Sequence, residues 1–487
     1  MFVTYSVALT GNMNQPSAHL LEAEFRTQLK DYGLTYDPVT GLPNAVSFRS
    51  SLRRMLAEAG KENKGVALLW IDLTNERREY SIGGETASQR VLCTLADALR
   101  PAVEDGELIC RYGDHTFLLA LRHRSDLELR LELILEAAGR RPMRGFDGRP
   151  EVASGVAHFP EHARNHDELI RFACLAAGTA LRTRSRAAIP FRPAMHEALL
   201  LERLIEKDLR LALSENQLSV AYQPQIDLNT GNILGVEVLT RWNHPTRGFV
   251  PPAQFIPIAE QSDLIDEIFA WSLRKLLSDA AVWRAQGIVP PRIAINASAA
   301  NIRHDQFVEV VAHELMRYPL GPTQLEIEVT ESLLMDDEDL FQERLHALRS
   351  IGVKVSLDDF GTRYTGFNAL KGLPLHSMKI DRCFVQGVHR STQAQSLFRT
   401  IVAMANQLEL ATVAEGIEEM GELCALRKVG CNAGQGYLFQ RPAPAAEFLA
   451  FLAEWPQRKL SGEFASVFTD VEVDPCYEVD PLFGVVS

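Results

Sequence analysis

Cysteine, positive charge and long apolar runs are all scarce in this chain. Its seven cysteines (Cys93, Cys110, Cys174, Cys383, Cys424, Cys431 and Cys476) are odd in number, scattered and without CxxC spacing. That argues against a disulfide framework and a structural zinc site, and for a reducing compartment. A net charge of −13 argues against a nucleic-acid coat or a polybasic membrane patch. A small anion held by metal ions remains compatible with it. No apolar run reaches the ~18 residues of a transmembrane span. The opening MFVTYSVALTGNMNQPS has no basic start and only a short apolar run, unlike a signal peptide. The expectation is a cytoplasmic protein. P-loop, GxSxG and HExxH motifs are absent.

What is present is ordinary globular composition, 46% hydrophobic and 23% charged, over 487 residues. That length predicts at least two domains. Residues 1–36 read as a leader, with AHLLEAEFRTQLKDYG a connecting helix. Residues 37–190 alternate strands and helices and read as one α/β domain with a single central sheet. VALLWIDL is a buried strand, ETASQRVLCTLADALRPAV an amphipathic helix, ELICRYGDHTFLLAL a hairpin and EVASGVAHFP a strand. Residues 186–194, RAAIPFRPA, read as a linker with two prolines, followed by the helix MHEALLLERLIEKDLRLALSEN. The second domain is placed at 191–455, and 456–487 as an acidic, proline-broken tail.

From Leu218 onward the rhythm changes. LSVAYQPQIDL, ILGVEVLTRW, RIAINAS, QLEIEVTES, KVSLDDFG, HSMKIDRCFV, LATVAEGIE and AGQGYLF are strand-like, most of them separated by helical stretches. Eight such units over about 240 residues predict a (β/α)8, TIM-like barrel. Glu237, Asn296, Glu328, Glu331, Asp358, Asp359, Lys379, Glu415 and Gln435 fall toward the C-terminal ends of these segments. In such barrels that face carries the chemistry. Six carboxylates on one face repel one another unless divalent cations lie among them. All-oxygen donors favour magnesium or manganese over zinc. The adjacent Asp358 and Asp359 suit a two-metal site, and two metals about 4 Å apart serve in-line attack at phosphorus. A lysine among them orients water or neutralises phosphate. Taken singly, each residue is a salt-bridge partner or a turn; jointly they point to a site. His158, His162 and His166 are spaced i, i+4, but Pro160 interrupts them, and they read as solvated loop histidines.

These segments resemble the EAL family of cyclic di-GMP phosphodiesterases. YQPQIDL, EVLTRW, INAS, EIEVTES, DDFGT, LPLHSMKIDRCFV, VAEGIE and GCNAGQGYLFQRP occur in the family's order over about residues 197–450. The resemblance implies a Mg2+- or Mn2+-dependent hydrolase, with two ions, that opens cyclic di-GMP to linear pGpG. It implies Glu237, Asn296, Glu328, Asp358 and Asp359 as metal ligands, and Lys379 and Glu415 as the groups that position and activate water. Gln223, Arg241 and Gln435 become substrate or supporting contacts, and Glu331 the residue that steadies the loop after the aspartate pair. The loop departs from the family pattern: Arg363 replaces a glycine, Gly366 and Phe367 replace a serine and a leucine, and His376 stands where aspartate is common. A weak or silent cyclic di-GMP receptor is the alternative reading. A homodimer is expected.

The first domain resembles the GGDEF family of diguanylate cyclases through DPVTGLPNAVSF and EVASGVAHFP. RYGDHTF (residues 111–117), open on its own residues to reading as an active site, a damaged one or a plain turn, falls where that family's catalytic turn lies. It reads Gly-Asp-His-Thr-Phe for Gly-Gly-Asp-Glu-Phe. Asp72 keeps the first metal position, whereas Tyr80 and Gln89 replace the guanine-reading asparagine and aspartate. Glu104-Asp105-Gly106-Glu107 replaces the inhibitory Arg-x-x-Asp. The resemblance therefore implies a cyclase-inactive, regulatory domain, with residual GTP binding as one form of that regulation.

Overall fold

The computed structural model describes residues 35–140, 150–288, 292–318, 320–331, 338–361, 370 and 372–468. The leader helix, the loop around Arg363 and the tail beyond 468 lie outside the described residues. The chain divides into two units, Met1–Leu201 and Glu202–Ser487.

In the first unit, β1 (Val66–Leu73) is the central strand. β2 (Leu108–Arg111), β3 (Thr116–Arg122), β4 (Val152–Phe159) and β5 (Ile189–Pro190) complete a sheet of order β2-β3-β1-β4-β5. All pairings are antiparallel except β4 with β5. The run VALLWIDL is apolar except for Asp72 because both its faces are covered. Ala67, Leu69 and Ile71 pack with Val91, Leu95 and Ile134. Val66 and Leu68 pack on the other side with Phe48, Leu52 and Leu169. Helices Ala45–Lys61 and His166–Thr183 start on asparagine caps, Asn44 accepting from Ser47 N–H and Asn165 from Glu168 N–H.

Two sequence expectations change here. The segment read as a linker is partly built into the sheet: Ile189 pairs with Gly155, and buried Phe191 stacks on Phe172 at 4.2 Å. Its apolar residues gain burial that a solvated linker would forfeit. His158 and His162 are not solvated loop residues either. His158 lies on β4, its ring is 5.3 Å from that of His162, and His162 meets Phe191 edge-on at 5.4 Å.

The second unit is a closed barrel. Its strands are β6 (Leu218–Asp227), β7 (Ile233–His244), β8 (Gly248–Val250), β9 (Ile293–Ala297), β10 (Leu325–Thr330), β11 (Lys354–Phe360), β12 (Ser377–Ile380), β13 (Ala411–Ala414) and β14 (Ala433–Gly434). The order is β6-β14-β13-β12-β11-β10-β9-β7-β8, and a β6–β7 pairing closes the ring, leaving β8 appended to β7. All eight expected strands form, with one correction to an all-parallel barrel: β6 runs antiparallel to both β7 and β14. The cause is the connection. Only residues 228–232 join β6 to β7, and a parallel crossover needs a dozen or more. Asp227 closes this turn by accepting from the N–H groups of Asn229 and Thr230 at 2.7 and 2.8 Å.

Strand alternation separates core from site. On β10, Leu325, Ile327 and Val329 join the apolar layer, as do Val355 and Leu357 on β11 and Met378 and Ile380 on β12. The intervening Glu326, Glu328, Ser356, Asp358, Ser377 and Lys379 occupy the opposite face, the barrel interior.

Candidate functional site

Lys379, 1% exposed, is the hub. Its Nζ lies 2.7 Å from Glu415 Oε1, 2.8 Å from Glu328 Oε2, 3.1 Å from Asp358 Oδ1 and 3.3 Å from Glu237 Oε2. Four strands and the segment after β13 thus deliver one ammonium and four carboxylates to a single point. Glu237 is held further: Oε1 accepts from Asn296 Nδ2 at 2.7 Å, and Oε2 from Gln435 Nε2 at 2.6 Å. Gln435 Nε2 also donates to Gln223 Oε1 at 2.8 Å, and Gln223 Nε2 donates to the Gln440 carbonyl at 3.1 Å. The buried amide oxygen of Gln435 has no hydrogen-bond partner among the described residues.

Consecutive strand residues face opposite ways, so Asp358 and Asp359 cannot both reach the site from a regular strand. A register shift between β11 and β12 removes the conflict. Leu357 pairs with Met378 and Phe360 with Ile380, so β11 carries one extra residue. Asp359 takes a left-handed backbone, φ 56°. Oxygens of Asp358, Asp359 and Glu415 then lie within 4.8 Å of one another, the only such metal-competent trio among the described residues. Glu331 Oε2 accepts from Gly361 N–H at 3.2 Å and so braces the chain just past this bulge. Arg241 is half-buried and donates to its neighbour's carbonyl, Thr240 O, at 3.0 Å. Burial lowers its pKa, partly offset by Glu237 and Tyr437. His376 lies one residue before β12, at the opposite end of that strand from the site.

Protonation follows from crowding. Burial pushes Glu328 well up, reinforced by Glu237. Burial also raises Asp358, against the pull of Lys379. It raises Asp359 to about 6 and Glu415 to about 8. Burial raises Glu237 too, but Lys379, Gln435 and Asn296 outweigh it and hold that carboxyl below its ordinary value. Burial disfavours the Lys379 ammonium, yet the surrounding carboxylates prevail and keep it charged. One cation thus faces a larger anionic demand, met by protons where no metal ion is bound. The donors are all hard oxygens, which fits Mg2+ or Mn2+.

The structure brings together nearly every residue singled out from sequence. Sequence reasoning missed Gln225, Arg292 and Glu326, which are buried below the site. Their signal was period-two spacing: Gln225 follows Gln223, and Glu326 precedes Glu328, by two residues each.

An oxygen-lined polar mouth on a mostly parallel eight-stranded barrel defines the class. Residues 206–442 match the EAL domain, and residues 34–186 match the diguanylate cyclase, GGDEF domain. The chain belongs to the family in which a GGDEF domain precedes an EAL domain. It is 33% identical over 421 residues to the cyclic di-GMP phosphodiesterase NbdA of Pseudomonas aeruginosa, covering 86% of this chain and 54% of that protein. It is 32% identical over 421 residues to the bifunctional diguanylate cyclase/cyclic di-GMP phosphodiesterase MucR of the same organism, covering 86% and 62%. The chain therefore spans less than two thirds of the length of these curated relatives. Among solved structures, the EAL enzyme Bd1971 bound to cAMP and cyclic di-GMP is similar at 26% identity and a TM-score of 0.50, covering 63% of this chain and 82% of that one. Among the described residues, no helix is long and apolar enough to cross a membrane.

Proposed function

We propose that the barrel hydrolyses cyclic di-GMP to linear pGpG, with two Mg2+ or Mn2+ ions held by Glu237, Asn296, Glu328, Asp358 and Asp359. The observation that carries this reading is the Lys379 hub, where one ammonium meets four carboxylates beside the Asp358–Asp359–Glu415 trio. When bound, divalent cations supply Lewis acidity toward the phosphoryl oxygens and the attacking water. Water oxygen bonds to phosphorus, the bond to the 3′ oxygen breaks, and the 3′ oxygen leaves with a proton. In this reading Glu415, ionised once divalent cations lie beside it, would take the water's proton. Lys379 stays charged, so it orients and neutralises rather than acting as a base. Gln223, Arg241 and Gln435 contact substrate or hold those contacts, the Gln435 amide oxygen being an acceptor free for a ligand donor. Glu331 acts through Gly361 as a positioning residue.

The first domain, in this reading, makes no cyclic di-GMP and regulates the barrel, GTP being a candidate ligand. The protein works as a cytoplasmic homodimer. The deciding experiment incubates the purified chain with cyclic di-GMP and Mn2+ or Mg2+ and resolves products by chromatography. The expected product is pGpG, abolished by Glu237→Ala. No turnover with either metal sinks the proposal, and tight binding without turnover would make the barrel a receptor instead.

A further inference from the structure

A second polar layer lies inside the barrel, one strand repeat below the hub. Arg292 precedes β9, and it, Glu326 on β10 and Gln225 on β6 are 4%, 1% and 0% exposed. Arg292 Nη1 donates to Glu326 Oε2 at 3.1 Å, and Nη2 to Gln225 Oε1 at 2.7 Å. Ser377 Oγ donates to Glu326 Oε1 at 3.3 Å. Gln225 Nε2 then faces Glu328 Oε1 at 3.5 Å. Oε2 of the same glutamate is the atom that meets Lys379.

The direction of this chain is chemically forced. A guanidinium has donors only, so the Gln225 carbonyl oxygen must face Arg292. The planar amide then turns its NH2 toward Glu328. Glu326 balances the arginine's charge, so the buried cation does not compete with Lys379 for the Glu328 carboxylate. Stability does not explain the set, because a buried ion pair is a weak stabiliser compared with apolar residues of similar volume. Orienting a carboxylate does explain it: outer partners of ligating groups fix their geometry and raise their affinity for the ion.

We infer that Arg292, Glu326 and Gln225 form a positioning relay that holds the carboxylate of Glu328 in the orientation that binds a divalent cation. The relay rests on the metal-dependent reading above. All three are buried beneath the hub, and the relay acts through Glu328.

The test measures Mn2+ binding to the full chain by calorimetry, alongside the melting temperature of the metal-free protein. Gln225→Met keeps the volume and removes the donor. It weakens Mn2+ binding by roughly 10- to 100-fold. The metal-free melting temperature falls as well, because Arg292 Nη2 loses its buried acceptor, so Leu52→Ala in the first domain serves as an equally destabilised control that keeps wild-type Mn2+ affinity. The paired replacement Arg292→Met with Glu326→Leu gives a similar loss, and combining all three adds little more. Mn2+ affinity of Gln225→Met within about twofold of wild type, or an equal loss in the Leu52→Ala control, overturns the relay. Should Gln225→Met not fold, Gln225→Asn keeps the amide but ends one methylene short of Glu328 and carries the same expectation. Wild-type protein that binds no Mn2+ defeats the metal reading and the relay with it; wild-type binding matched by the variants defeats the relay alone.

Discussion

Thr116 Oγ1 donates a 2.7 Å hydrogen bond to Asp72 Oδ1 across the paired strands β1 and β3. The one carboxylate that the first domain keeps at its expected metal position is thus tied to a neutral hydroxyl. The neighbouring turn is occupied by its own contacts: Arg111 bonds Asp37 at 2.9 Å and the Asp114 carbonyl at 2.6 Å. Purified protein given GTP with Mg2+ or Mn2+ is expected to form no cyclic di-GMP by mass spectrometry. Detectable product that disappears in Asp72→Asn would contradict this.

Removing the hub cation should be costly. Lys379→Met leaves four buried carboxyl groups without their shared partner, a loss of roughly 3–5 kcal/mol. Chemical denaturation of the metal-free variant checks this. Added Mg2+ should recover part of the lost stability, since cations answer the same anionic demand. A metal-free variant as stable as wild type would mean that the carboxyl groups are neutral without Lys379.

Stability should also depend on pH in a defined direction. Asp359 titrates at about 6 and Glu415 at about 8, raised by burial. Unfolded carboxyl groups titrate near ~4. The folded state therefore holds these protons more tightly, and their stabilising contribution is complete below ~4 and is lost as pH rises through ~6 and then ~8. The melting temperature of metal-free protein should fall over that window, and Glu415→Gln should flatten its upper part. Mn2+ binding at neutral pH should release protons, read by calorimetry in buffers of different ionisation enthalpy. A metal-free melting temperature that rises over this range would refute the assignment.

Gly361 is a sharper structural test. Its φ is +92°, and an added Cβ would meet the Phe384 ring at 2.5 Å. Gly361→Ala should cost at least about 1 kcal/mol and weaken Mn2+ binding, because Gly361 is the residue that Glu331 braces. Unchanged denaturation and metal affinity would show that the bulge tolerates a side chain.

Much of the site was legible in the sequence because strands alternate with period two. Glu328 between Ile327 and Val329, and Lys379 between Met378 and Ile380, announce polar positions on otherwise apolar strands. The departure of the turn RYGDHTF from Gly-Gly-Asp-Glu-Phe at Asp114, His115 and Thr116 is likewise read directly from the sequence. Other features were not legible. Asp358 and Asp359 already suggested a two-metal site, but the register shift and the left-handed Asp359 that bring both to one point could not be read from them. The antiparallel course of β6 depends on a five-residue turn whose meaning appears only once both strands are paired.

By itself, the sequence determined which residues are polar where a barrel strand should be apolar, because side-chain alternation is a local property of the backbone. Tertiary structure alone decided that Lys379 answers four carboxylates, that Asp72 is tied to Thr116, and that Arg292 reaches Glu328 through Gln225. Those contacts join residues far apart in the chain, and only closure of the barrel and pairing in the sheet bring their atoms within hydrogen-bonding distance.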